Sequence, residues 1–411
     1  MDLKLRRLRA RGRYVAIPIV AAAAVAGVTA SASAASHSHV SSHASISKSE
    51  LTSLANYVAK AQLPPTWKAP GPAVNAKKAL KGKTIVTFPI SSEIDACNTK
   101  GQQGYLDAEA KALGANVIPL SSTPGGPPNW ISNLNTAVTD KANAVVMLCG
   151  SSAAPIASQL ATLKADHISV VDGNYNQTGG YSAFPFTGLS AESGVDTAGG
   201  VKTDLADALL NLKGKAADIL FLDSPQVAQY EGAQQALKAA IKEWCPSTCK
   251  IAKELDYGTQ EWSGPTETSQ VASALQANPK INTVIVTFDG MTDGIFSTVA
   301  DAASSHPGLK MYAWGGGLAE IKDVESGGNF AGDSGPDEKW DAYLQLDQVI
   351  RLLAGKKPAP VANEVAPNVF FTKGNAASFS VNGAGQAYSD KAYSDGLFVT
   401  DFLKLWGVTK K

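Results

Sequence analysis

From Lys83 onward the chain alternates short apolar runs with longer stretches of helical period. Thr84 to Phe88 is a continuous run of apolar and β-branched residues closed by Pro89, which predicts a strand. Gly101 to Leu113 then predicts a helix, Asn116 to Leu120 a strand, Trp130 to Lys141 a helix, Ala144 to Cys149 a strand, Pro155 to Asp166 a helix and Ser169 to Asp172 a strand. The pattern restarts with helix Gly194 to Leu212, strand Asp218 to Asp223, helix Tyr230 to Trp244, strand Ile251 to Asp256, helix Glu267 to Ala277 and strand Thr283 to Phe288. Helix Gly294 to Ser304 and strand Lys310 to Trp314 complete a second unit of similar plan. Strands apolar on both faces, separated by helices, predict an α/β fold of two doubly wound parallel-sheet lobes.

The N-terminal pattern is different. A basic stretch (Lys4, Arg6, Arg7, Arg9, Arg11, Arg13), an apolar run from Val15 to Val28 and the small residues Ala32-Ser33-Ala34 predict an export signal over residues 1–35. An apolar run of about 14 residues is short of the ~20 needed to cross a bilayer, so no membrane insertion is expected and the mature chain is predicted to be secreted. Residues 36 to 50 are rich in Ser, His and Ala and predict a solvated tail, with His37, His39 and His43 as no more than an adventitious metal site. Leu51, Leu54, Val58 and Ala61 have helical spacing up to Pro64-Pro65, and a Pro-rich arm from Thr66 to Val74 leads into the main body.

Composition narrows the partners. The 36 basic and 36 acidic side chains of the 411 residues cancel, so no net field draws the chain to nucleic acid. Four cysteines in an exported chain suit two disulfides. Cys245 and Cys249, in a five-residue Cys-Pro-Ser-Thr-Cys loop, suit a local staple, with a redox dithiol as the alternative, and Cys97 and Cys149 remain as the second pair.

In open parallel sheets, ligands lie beyond the carboxyl ends of the strands. The loops there are rich in small polar residues: Ser91-Ser92-Glu93-Ile94-Asp95, Gly150-Ser151-Ser152, Asp172-Gly173-Asn174, Asp223-Ser224-Pro225-Gln226, Asp256-Tyr257 with Trp262, and Asp289-Gly290-Met291.

With Ser169-Val-Val-Asp172, Gln229-Tyr-Glu-Gly232 opening a helix, Val284-Ile-Val-Thr-Phe-Asp289-Gly-Met and Phe371-Thr-Lys-Gly-Asn375 in this order, residues 83 to 375 resemble the type I periplasmic binding proteins. That family includes the ribose and galactose receptors and the effector domains of lactose-repressor-like regulators. The resemblance implies a three-segment hinge, near Thr187 to Ser190, Asp333 to Pro336 and Ala362 to Pro367. The first lobe would then be 83–188 plus 336–364, regaining the helix Lys339 to Leu353, and the second lobe 189–335 plus 365–382, with 383–411 as an extension. It places ligand contacts on Ser91, Ser92, Asp95, Asp172 and Asn174 in the first lobe, and on Gln229, Trp262, Phe288, Asp289 and Asp333 in the second. Cys97 and Cys149 would follow neighbouring strands at the cleft wall.

The implied function is capture of a small polar, sugar-like ligand by a monomer for a membrane ABC transporter permease, without a cofactor. A ligand-sensing partner of a membrane receptor is the alternative, and a secreted α/β hydrolase the weaker one. Carboxylates and amides pair with hydroxyls while an aromatic face covers a ring. The chain departs from simple-sugar receptors by having Ala96-Cys97, Gln229 and Gly315 where they place aromatic residues, an arginine and an aspartate. This widens the expected ligand class to unusual polyols, modified sugars and other small metabolites.

Three motifs are decoys. Gly332-Asp333-Ser334-Gly335-Pro336 is similar to a chymotrypsin-like nucleophile loop but lacks its second glycine and a histidine in the usual context. Lys81-Gly82-Lys83-Thr84 precedes a strand instead of opening a helix, so it is no phosphate loop. Trp314-Gly-Gly-Gly317 reads as a close-approach turn at the cleft.

Overall fold

The computed structural model describes residues 45–150, 154–176, 188–225, 227, 230, 232–258, 261–379, 391–393 and 396–408, with backbone only for 174–176. The predicted export signal and most of the predicted tail therefore lie outside the described residues. Among the described residues, no helix is long and apolar enough to cross a membrane.

The first sheet contains β1 (Thr84–Pro89), β2 (Asn116–Pro119), β3 (Ala144–Leu148), β4 (Ser169–Asn176) and β5 (Ala191–Val195). The second contains β6 (Ala217–Asp223), β7 (Cys249–Asp256), β8 (Thr283–Val286), β9 (Lys310–Trp314) and β10 (Phe330–Gly335). Short β11 (Val365–Ala366) closes one edge of the first sheet, and β12 (Val369–Thr372) one edge of the second. The orders are β11-β5-β4-β3-β1-β2 and β12-β10-β9-β8-β6-β7, so the two sheets repeat one plan. All pairings are parallel except that of β10 with β12. β1, β3 and β8 are buried almost throughout, as sheets covered on both faces require.

The helices, in chain order, are α1 (Lys48–Ala61), α2 (Ala76–Leu80), α3 (Gln102–Ala112), α4 (Pro127–Thr139), α5 (Ala157–Ala165), α6 (Thr197–Asn211), α7 (Ala233–Trp244) and α8 (Pro265–Ala277). They continue with α9 (Thr292–Ala302), α10 (Leu318–Ser326), α11 (Glu338–Leu353), α12 (Lys373–Phe379) and α13 (Leu397–Leu405). As expected, α11 returns to the first lobe: Gln102 donates to Asp341 (2.9 Å), Tyr343 to Glu109 (2.8 Å) and Gln348 to the Glu192 carbonyl (2.9 Å).

Two predicted boundaries move. The sequence reading starts the second lobe at 189 and a helix at Gly194, but Ala191–Val195 is a fifth strand of the first sheet. Its Ala-Glu-Ser-Gly-Val run has little intrinsic strand preference. It is fixed by ladders to β4 and β11 and by the Gly194 amide donating to Glu364 O at 2.7 Å. The first crossing therefore follows Val195, and the third lies between Ala366 and Val369, since β11 belongs to the first sheet.

The segments outside the repeated core are also docked. Ser47 and Glu50 form a reciprocal capping box at the start of α1. The Ile46 amide donates to Gly214 O (3.1 Å), Tyr57 meets Trp244 edge-on at 5.6 Å, and Gln62 donates to Thr372 Oγ1 (3.1 Å), all on the second lobe. Five residues later Trp67 packs on Phe402, and the Pro70 and Pro72 carbonyls accept from Asn363 (3.0 Å) and Arg351 (2.9 Å) on the first lobe. The N-terminal segment is thus a further covalent tie between lobes. The C-terminal extension adds α13 to the first lobe's core, with Phe398, Phe402 and Trp406 fully buried.

Both disulfides form, Cys97–Cys149 and Cys245–Cys249. The second closes the turn between α7 and β7, a loop bridging a sequence separation of only 4. Loop-closure entropy for so short a ring limits its stabilisation to about 2 kcal/mol. Replacing both Cys245 and Cys249 with serine is expected to lower unfolding free energy by that amount in denaturant titration.

Buried Asp341 links protonation to stability. Burial pushes its carboxyl up to about 7 against the hydrogen bonds from Gln345, Ser193 and Gln102. The folded chain then holds a proton that the unfolded chain has released, so stability is highest below about pH 4 for this group and falls as pH rises towards 7, with a slope of at most about 1.4 kcal/mol per pH unit. Asp341→Asn is expected to flatten that part of the stability–pH curve.

Candidate binding site

The carboxyl ends of β1 and β3 from one lobe face those of β6, β8 and β9 from the other across a cavity of about 1090 Å³. On the first-lobe side Trp130 donates its indole N–H to Ile90 O (2.7 Å), which holds the loop after β1 against α4. Ser91 lies at this wall, its hydroxyl accepting from the Glu93 amide at 3.2 Å. Ser92 does not reach the cavity. Its Oγ instead accepts from the Ser122 amide (2.8 Å) and pairs with Ser121, tying two loops together. Asp95 is on the wall, exposed and 2.9 Å from Lys100, and that partner together with Asn98 holds its carboxyl below the usual range.

Asp172 is placed differently from the sequence reading. The reading ends the strand at Asp172, but β4 runs on to Asn176, so Asp172 is fully buried within the sheet, paired in register with Glu192, and does not line the cavity. The side chain of Asn174 and all of Gln229 lie outside the described residues.

On the second lobe the aromatic side chains converge. Trp262 and Phe288 have ring centroids 4.7 Å apart, and buried Tyr230 braces both, at 6.2 and 5.7 Å, with Trp314 behind it at 6.0 Å. The Trp262 indole donates to Ser224 Oγ (3.2 Å), which itself donates to Tyr257 O (2.6 Å), so a half-buried ring on the cavity wall is anchored through its nitrogen.

Asp289 is also on the wall. Its Oδ2 accepts from the Gly317 amide at 2.6 Å, at the entry to α10. This explains the glycine at 315: a Cβ there would fall 2.1 Å from the Asp289 carboxyl. A side chain at 317 would strike Glu320 and Asp289 in the same way. With Asp289 in this position, 315 has no room for a side chain. Asp333 does not line the cavity. It is fully buried on β10, with one oxygen 3.4 Å from the Gly316 amide and the other without a hydrogen-bond partner, and burial together with Asp289 and Glu320 pushes its carboxyl well up. Ser334 is buried inside the same strand, which removes the nucleophile-loop reading of this motif.

The wall residues absent from the predicted contacts include Glu320, Glu338, Trp130 and Tyr393. Glu320 and Glu338 stand in the first turns of α10 and α11, just after a Gly-rich turn and a Pro-Asp pair whose helix-start signal marks them. Trp130 is in the first turn of α4, which opens on Pro127-Pro128. Tyr393 comes from the C-terminal extension and donates to Gly335 O at the hinge, a contact with no local signal. Both members of the Cys97–Cys149 bridge are buried beside the Ala96 part of the wall.

A family profile described as the periplasmic binding protein domain matches residues 99–357, well over half of the chain. The chain belongs to the periplasmic binding protein family. No curated protein matches it in sequence. Solved members of similar fold include an ABC transporter solute-binding protein of Mycobacterium smegmatis with bound glycerol, 15% identical, covering 73% of this chain and 98% of its own, with TM-score 0.60. A 5-methylthioribose transporter solute-binding protein of Thermotoga lettingae, in complex with 5-methylthioribose, is 14% identical, covering 84% and 99%, with TM-score 0.64. An ABC transporter solute-binding protein of Agrobacterium vitis with bound allitol is 18% identical, covering 73% and 98%, with TM-score 0.60. Such identities carry the architecture. The periplasmic binding protein fold thus accounts for the repeated sheet plan, the triple crossing and the interlobe cleft.

Proposed function

We propose that this binding protein captures one small hydroxyl-bearing ligand, a sugar or sugar-like molecule, between its lobes outside the cytoplasm and delivers it to a membrane ABC transporter permease. The observation that carries this reading is the cavity at the facing strand ends. It combines an aromatic platform at Trp262 and Phe288 with carboxyl groups from both lobes, a lining suited to a ring with an apolar face and a hydroxylated edge. The solved relatives that hold glycerol, allitol and 5-methylthioribose support the ligand class. No step in the proposed function needs a nucleophile, a metal or a cofactor. Ligand contact in both lobes favours the closed state, which is the state a transporter can distinguish from the empty one.

The test is a thermal-shift screen of the purified mature chain against sugars, polyols, nucleosides and amino acids, followed by calorimetry. The expected result is one stabilising class bound at one ligand per chain. A protein that no compound stabilises and that carries no co-purified ligand would remove the proposal.

A further inference from the structure

The cavity wall gathers far more carboxyl groups than cations. The first lobe contributes Glu93, Asp95, Asp337 and Glu338, and the second Asp289, Asp293 and Glu320. Among the described residues Lys100 is the one cation on the wall, and Asp95 already engages it. Lys339, the next residue on α11, is turned over the Tyr105 ring at 5.8 Å instead. The undescribed segments between 45 and 408 contain no Lys, Arg or His, so they add no compensating charge.

The carboxyl groups are not spread evenly. Glu338, from the first-lobe helix α11, has no hydrogen-bond partner among the described residues and lies within electrostatic reach of Glu320 and Asp289 from the second lobe and Asp95 from its own. Burial, then its acidic neighbours Asp337, Asp95, Asp341 and Glu320, push its carboxyl up to about 8. Burial, followed by Glu320, also raises the Asp289 carboxyl above its usual range. Carboxyls gathered from facing lobes without a cation are a charge-deficient arrangement that a ligand can complete. An ammonium group has three donors and no acceptor, the complement of this lining, and Trp262 on the same wall suits a ring or cation.

We propose that the ligand is a small amine-bearing polyhydroxy compound, an amino sugar or amino polyol, whose ammonium group lies between Glu338 and the Asp289–Glu320 pair. The inference rests on the solute-binding reading above. Its ammonium would bridge the lobes, so charge recognition and closure are one event.

Matched probes separate the two readings: D-glucose, D-glucosamine and N-acetyl-D-glucosamine, and glycerol with 2-amino-1,3-propanediol, each measured by thermal shift and calorimetry beside the broad screen. The amine-bearing member of a pair is expected to bind at least tenfold more tightly than its neutral counterpart, the acetylated amine is expected to lose that advantage, and the preference is expected to shrink in high salt. In Glu338→Gln the amine preference is expected to fall at least fivefold, with melting temperature as the control for folding. If neutral sugars or polyols bind as well as or better than amines, the charge inference is overturned and the capture function stands. If neither probes nor screen yield a ligand, both fall.

Discussion

Trp262→Ala is expected to weaken ligand binding by about 2–3 kcal/mol, roughly thirty- to hundredfold in Kd, the loss typical when a central aromatic anchor is truncated. The ring is half-buried, and its neighbours Tyr230 and Phe288 brace each other without it, at 5.7 Å, so the platform behind it survives the substitution. The unfolding free energy is therefore expected to fall by less than the binding free energy. Trp262→Phe separates two contributions. It keeps an aromatic face while removing the indole donor to Ser224 Oγ, and is expected to retain most of the affinity. Calorimetry on the two variants, with a ligand from the screen, decides the matter. An alanine variant that binds like the parent would move the ligand away from this platform.

The repeated lobes were legible because their signal is local. Runs such as Val284-Ile-Val-Thr-Phe need no partner to identify them as buried strands, and the loops after them could be located by counting. Trp262, Phe288 and Asp289, which the family resemblance marked as contacts, fell on the cavity wall. Asp172 did not, because the end of β4 is set by its ladder with β5, and β5 is a strand only because β4 and β11 flank it. Ser92 is a small polar residue in the right loop whose hydroxyl is used by Ser121 and Ser122 from the next loop, a long-range contact invisible in either segment. Gly315 could be read as a departure from sugar receptors, but its cause is the Asp289 carboxyl occupying the space of its Cβ. Glu338 and Tyr393 reach the cleft through the chain's return crossings, where tertiary topology rather than periodicity places the side chain.

Trp406→Ala is expected to cost about 3–5 kcal/mol of stability, the range for emptying a large aromatic site in a core. The sequence reading set residues 383–411 apart as an extension, yet Trp406 is fully buried and stacks on Tyr343 of α11 with centroids 5.3 Å apart. Its indole donates to Asp347 (2.7 Å), the carboxylate that also holds Arg351 at 2.5 Å. Arg351 in turn donates to Pro72 O, and the Val74 and Ala76 amides donate to the Leu405 and Trp406 carbonyls at 2.9 and 3.0 Å. One residue therefore joins both chain ends to the helix whose first turn places Glu338 at the cleft. Removing it leaves a cavity and takes a donor from a buried ion pair, two costs that add because one is apolar and the other polar. Trp406→Phe refills most of the volume without restoring the donor. It is expected to recover more than half of the loss, and chemical denaturation of the two variants measures the split. A loss below about 1 kcal/mol for the alanine variant would show the extension to be peripheral to the first lobe.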